Sequence, residues 1–175
     1  MSIDDAIDRL TRIERNILNL PELSRQAAQD LAQAVADRVI EEGKDYEGND
    51  FSPYSKEPIP AFFYFNRSAN QTGEAKVRAK AKKKEPVSYF DFRSFNNLPN
   101  NRKNFSFRNR MWRGFGVLEI GGFGGLLTVT LGGQNPEAAQ KIEWNSEREG
   151  KNIIRPSADE VQRFALAVTR KILSE

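Results

Sequence analysis

At 175 residues, with 38% hydrophobic and 29% charged side chains and a net charge of +3, the chain fits one α+β domain with a modest core. It contains no cysteine and no histidine, which excludes disulfides, thiolate chemistry, and the commonest general base and zinc ligand. No apolar run approaches the roughly 18 residues of a membrane helix, so no membrane partner is expected.

Met1-Ser2-Ile3-Asp4-Asp5 is acidic where a secretory leader is basic, so the chain is expected to be made in, and to stay in, a cytoplasm or something assembled there. Ile3, Ile7, Leu10, Ile13 and Ile17 recur at three- and four-residue steps, which predicts a helix. Its stripe reads as core-facing, with a docking helix for a partner as the alternative. Pro21 fits the first turn of a second helix over 22–42, whose apolar face is Leu23, Ala27, Leu31, Ala34, Val35 and Val39. Gly43 is the expected stop. Residues 44–56 are rich in turn formers and end in aromatics that should pack on something. Asp45, Glu47 and Asp50 lack the spacing of a calcium loop, so the segment reads as a structural turn.

Residues 57–110 read as an extended basic, aromatic and Asn-rich insertion, a functional arm or a segment disordered until bound, within a single domain spanning 1–175. Phe62-Phe63-Tyr64-Phe65 leads into a loop, and Lys76, Arg78, Lys80, Lys82, Lys83 and Lys84 then alternate with small or apolar residues. Period two predicts a strand with one basic face, although Ala and Lys also suit a helix. Pro86 ends it. Phe90-Asp91-Phe92-Arg93 reads as a strand entry and is followed by an Asn-rich loop.

Val117–Ile120 and Leu126–Leu131 predict a β-hairpin around the loop Gly121-Gly122-Phe123-Gly124-Gly125. Without a following helix or a Gly-Lys-Ser/Thr signature, that loop is not a phosphate cradle. A short helix is expected over 136–141, and Gly150 marks a turn. Ser157-Ala158-Asp159-Glu160 is a capping box that opens a last helix, with Val161, Phe164, Ala165, Val168 and Ile172 as its buried face.

Charge is uneven. Residues 66–113 hold 13 Lys/Arg against 3 Asp/Glu, and the remainder holds 14 against 21. Copies with one basic and one acidic surface suit head-to-tail contacts, which close into rings. The same basic segment, interleaved with aromatics, also suits nucleic acid; binding of that kind weakens steeply with salt.

The order of these pieces resembles a family. A helix runs into Gly43-Lys44-Asp45-Tyr46-Glu47-Gly48-Asn49-Asp50-Phe51-Ser52-Pro53-Tyr54-Ser55, and Phe105-Ser106-Phe107-Arg108-Asn109-Arg110-Met111-Trp112 precedes a strand pair. Asn135-Pro136-Glu137-Ala138-Ala139-Gln140-Lys141 follows, and Ile153-Ile154-Arg155-Pro156-Ser157 opens the final helix. Over roughly residues 25–172 this resembles the tail-completion, neck or head–tail joining proteins of tailed phages, the virion morphogenesis family. One departure is Arg108-Asn109-Arg110, where that family has a Thr- or Ser-Gly turn.

The resemblance implies a small antiparallel sheet packed on a long N-terminal helix and a C-terminal helix. It implies a homo-oligomeric ring of about six or twelve copies around a DNA channel. It further implies a place in the virion at the head–tail interface or tail end, beside connector, neck or tail-tube proteins. No catalytic residue, metal or cofactor is expected. Under that reading Lys76, Arg78, Lys80, Lys82, Lys83, Lys84, Arg102, Lys103, Arg108 and Arg110 meet acidic neighbours or line a lumen facing DNA, and Gly121, Gly122, Phe123, Gly124 and Gly125 reach an adjacent subunit. The rivals are a nucleic-acid-binding protein using 67–113, and a magnesium nuclease built on Asp45, Glu47 and Asp50.

Overall fold

The computed structural model describes residues 3–106, 109–123 and 126–174. Its elements are, in order, α1 (Ile3–Leu18), α2 (Leu20–Leu23), α3 (Arg25–Asp37), β1 (Pro58–Pro60), α4 (Gln71–Lys82), β2 (Pro86–Ser88), α5 (Tyr89–Phe95), α6 (Arg110–Arg113), β3 (Phe115–Phe123), β4 (Leu126–Gly133), α7 (Pro136–Glu149) and α8 (Ala158–Ser174). This is the α+β class expected, with two small antiparallel two-stranded sheets, β1–β2 and β3–β4.

Three cores hold it together. The largest joins Val35, Ala36 and Val39 to Phe51, Met111, Trp112, Ile142, Ile153 and Ile154. The alanine-rich face of α3 lets β3 and α8 approach closely, and the buried Ala27, Leu31, Val35 and Val39 follow the expected stripe. A wide π-type turn, Arg38–Glu42, ends that helix, and Gly43 closes it with φ +69°, a conformation that costs glycine no Cβ clash. Phe51 and Tyr54 of the following turn are buried, as aromatics in a polar loop should be.

The second core belongs to the insertion. Ala61, Tyr64, Val77, Val87 and Phe92 are buried together, so the segment packs on itself. Two expectations fail here. Residues 74–82 are helical, because Ala and Lys favour helix, Val77 and Ala81 share a face, and the Asn70 side chain caps the first turn by accepting the Gly73 N–H at 2.7 Å. Phe90–Arg93 is likewise helix, not strand. Ser88 and Asp91 form a capping box, and the three-residue spacing of Tyr89, Phe92 and Phe95 onto this core outweighs the period-two look of Phe90 and Phe92.

The hairpin forms as expected but is longer, pairing Phe115 with Gly133 through to Phe123 with Leu126, with a bulge at Leu118. Gly121 and Gly122 are therefore strand residues opposite Thr128 and Leu127. Gly133 has a positional role, since a Cβ there would strike the Ala139 backbone where β4 turns into α7. α7 runs to Glu149, well past the short helix expected, and stops at Gly150 with φ +67°.

In the third core Leu20 and Ala27 meet Val168, with Phe164 and Ile172 beside it. The Ser157–Glu160 capping box is present, Ser157 N–H donating to the Glu160 carboxylate at 2.7 Å and Glu160 N–H to the Ser157 hydroxyl at 3.2 Å. Val161 and Ala165 lie outside, contrary to the expected buried face of this helix.

The stripe of α1 is not core. None of its residues is buried, and Ile3, Leu10 and Leu18 are 80%, 67% and 79% exposed. The helix touches α2 and the far end of α8, where the Asn16 side chain donates to the Ile172 carbonyl at 3.0 Å.

Candidate functional site

Between the first two cores lies a cleft of about 690 Å³, walled by Tyr64, Tyr89 and Phe92 on one side and Phe105, Met111 and Trp144 on the other. Cations rim it: Arg67, Lys103, Arg110, Lys141 and Arg148.

Its floor is one buried polar network. Tyr54 donates its hydroxyl to Asn104 Oδ1 at 3.1 Å and accepts the Asn104 N–H at 3.2 Å. The Arg93 guanidinium lies 4.2 Å from the centre of the Tyr54 ring and donates to the carbonyls of Pro99 and Ser106 and to Asn104 Oδ1. Trp112 donates its indole N–H to the Asn104 carbonyl at 3.1 Å. Asn104 thus binds Tyr54, Arg93 and Trp112 at once, which anchors the Asn-rich loop beneath the cleft. Burial pushes the Tyr54 hydroxyl pKa above its ordinary value, only partly opposed by the Arg93 charge, so it remains a donor.

The rim is tied differently. Lys103 reaches Glu149 at 2.6 Å, and Ser52 donates to the same carboxylate. Burial alone raises the pKa of Glu149, but the Lys103 and Ser52 hydrogen bonds and the Lys103 charge together bring it below 4.5. Asp45, buried beneath the neighbouring turn, behaves alike: burial opposes, while Lys151 at 2.5 Å and the Asn49 and Glu47 N–H groups prevail, and the pKa falls below 3.8. A carboxylate with a depressed folded-state pKa contributes stability above its unfolded pKa, and that stability is lost as pH falls through the folded value. Thermal melts are therefore expected to be flat from pH 7 to about 5 and to drop below about pH 4.5. Asp45→Asn combined with Glu149→Gln should start lower at pH 7 and show a shallower acid decline. An unchanged slope in that double variant would remove both carboxylates from the acid response.

Of the cations expected at a contact surface, the structure brings Lys103 and Arg110 to the cleft. Arg110 and Lys141 share Glu137, at 3.4 and 2.6 Å. Lys76, Arg78, Lys80 and Lys82 stand on α4, with Lys83 and Lys84 in the turn after it. Arg78 pairs with Glu74 and Lys80 with Glu85, while Lys82, Lys83 and Lys84 are exposed. Arg102 packs against Gly43. Arg108, Gly124 and Gly125 lie outside the described residues, and Gly122 of the glycine run approaches Pro21.

Sequence reasoning missed Arg67, Lys141, Trp144 and Arg148 as cleft residues. The last three stand at steps of three and four on one face of α7, with Arg148 5.3 Å from the Trp144 ring centre. That spacing is visible in the sequence, but the short helix expected over 136–141 leaves Trp144 and Arg148 beyond its end.

The cleft offers aromatic surface and positive charge. Among the described residues no three His, Cys, Asp or Glu side chains are grouped to hold a metal ion. Asp45 is engaged with Lys151 and is not grouped with Glu47 and Asp50. No helix among the described residues is long and apolar enough to cross a membrane. No protein-family model matches the chain, nor does any curated protein or solved structure.

Proposed function

We propose that this chain is a structural, non-enzymatic subunit of a tailed-phage particle, forming part of the neck (the head–tail connector) or of a tail-completion ring. The observation that carries this is apolar surface left uncovered on three separate outer elements. Ile3, Ile7, Leu10 and Leu18 are exposed on α1, Leu118 and Leu126 on the hairpin, and Val161, Leu166 and Leu173 on α8. Exposed apolar side chains on several outer elements suit contacts with other proteins, and contacts on several faces are what a subunit between neighbours requires. The ordered motif series from Gly43 to Ser157 supplies the virion context, and the exposed cations of α4 and the turn after it, Lys82, Lys83 and Lys84, suit an acidic neighbour or DNA in a channel.

The cleft favours a second reading. Stacking surfaces beside Arg67, Arg110, Lys141 and Arg148 match the demands of single-stranded nucleic acid.

An early stop codon in the gene, followed by negative-stain electron microscopy of the phage lysate, separates the two. Filled heads apart from free tails are the expected result for a neck subunit, and abnormally long, missing or unstable tails for a tail-completion ring. Joined particles of normal shape would overturn the structural reading and leave nucleic-acid binding as the function to measure.

A further inference from the structure

We propose that the cleft seats one unpaired base of a single strand against Trp144, with the flanking phosphates held by Arg67 and Arg148, an assignment that rests on the nucleic-acid reading of the cleft. Charge comes first. Six cations line the cleft against two carboxylates, Glu57 and Glu149. Three of the cations are already engaged, since Lys103 binds Glu149 while Arg110 and Lys141 share Glu137. Arg67 and Arg148 are exposed, and among the described residues neither has a carboxylate partner. The sixth cation is Arg93. It is 1% exposed, yet among the described residues its hydrogen bonds go to neutral acceptors, the Pro99 and Ser106 carbonyls and Asn104 Oδ1. A buried charge is ordinarily paired. Here a positive charge without a counter-ion lies beneath the cleft, so an entering anion is attracted from the floor as well as from the rim.

The walls choose among anions. Trp144 lines the cleft and is 57% exposed, with the Arg148 guanidinium 5.3 Å from its ring centre. Their four-residue spacing on α7 keeps a flat apolar surface and a positive charge side by side. A nucleotide presents the matching pair, a planar base and a phosphate on one sugar. Inorganic phosphate or a run of carboxylates would meet the charge and leave the indole uncovered. Every base has a face to stack, so the site is indifferent to sequence. It is not indifferent to strandedness. In a duplex each base is already stacked on its neighbours, and only an unpaired base can turn a face to the indole. At about 690 Å³ the cleft lies in the size range of small-ligand sites, which suits a base and its sugar rather than a double helix. The exposed Lys82, Lys83 and Lys84 stand outside it.

The full-length protein has two tryptophans, and Trp112 is only 7% exposed, so a strand in the cleft reports through Trp144. A thymidine tetranucleotide is expected to quench tryptophan emission. By calorimetry Trp144→Phe should bind it within about threefold of wild type but lose the quenching, whereas Trp144→Ala should bind at least fivefold more weakly. Arg67→Gln with Arg148→Gln should bind at least tenfold more weakly and lower the slope of log K against log salt by about 1.4, as for two phosphate contacts on a single strand. Replacing Lys82, Lys83 and Lys84 together with Gln should leave affinity within about threefold. An abasic tetranucleotide, and thymidine monophosphate, should each bind at least tenfold more weakly than the tetranucleotide. Equal binding of the abasic strand, or quenching that persists in Trp144→Phe, would overturn the base seat and leave a cleft that holds nucleic acid by its phosphates. Equal binding of the monophosphate would make the ligand a free nucleotide and overturn the strand. A tetranucleotide that fails to bind, or that is lost with the three lysines and not with the two arginines, would remove the nucleic-acid reading of the cleft itself. An acidic tetrapeptide containing Phe and binding as tightly as the tetranucleotide would assign the cleft to a protein segment and defeat the proposal.

Discussion

Replacing Arg38 with Met is expected to destabilise the protein by about 3–5 kcal/mol, the cost of leaving a buried charge without its partner. Arg38 and Glu160 are 9% and 3% exposed, and the guanidinium Nε donates to Glu160 Oε1 at 2.9 Å. Its other two nitrogens donate to the Lys44 and Arg155 carbonyls, each at 2.8 Å. One side chain thus joins the end of α3, the turn after Gly43 and the start of α8. Removing it orphans two carbonyls and a carboxylate that the Ser157 N–H alone then satisfies. Arg38→Met with Glu160→Gln keeps the capping box, since Gln serves at that position, and discharges the orphan. The double variant should therefore recover a large part of the loss in urea unfolding. A double variant no more stable than the single one would show that the cost lies in the carbonyls rather than in the buried charge.

The parts of the fold legible in the sequence were those with local causes. Gly43 after an alanine-rich stripe and the Ser157–Glu160 box each carry their own reason and stand where expected, and the two strand runs form their hairpin, although their pairing extends into the glycine-rich segment expected as its loop. Where period two and period 3.6 competed over few residues, tertiary packing decided: Val77 and Phe92 both turned inward on helices to build the second core. α1 taught the opposite lesson. Periodicity correctly gave its helix, but an amphipathic stripe records only that something covers it, not whether the cover lies in the same chain. The cleft was least legible, because its floor depends on Tyr54, Arg93 and Asn104, which come from three separate stretches and carry no shared motif.

Arg93 is the second residue whose loss should be severe. Arg93→Met is expected to cost about 3–4 kcal/mol, because the side chain is 1% exposed and its removal strands the Pro99 and Ser106 carbonyls and takes one of three donors from Asn104 Oδ1. The loss should also be local in character. The loop over 96–106 contains few apolar side chains and is held by this guanidinium, so its opening free energy should fall first. Trypsin cleavage after Arg102 and Lys103 is expected to accelerate at least tenfold at temperatures where α3 and α7 remain folded. Arg93→Lys keeps the charge but not the planar fork that serves three acceptors together, so it should rescue only part of the protection. Because the same guanidinium lies over Tyr54 on the cleft floor, a ligand that fills the preformed cleft should bind Arg93→Met more weakly even where the fold survives. Unchanged trypsin rates at 102 and 103 would mean that the loop is held by Asn104 and Trp112 alone, and that Arg93 acts only on the core beneath.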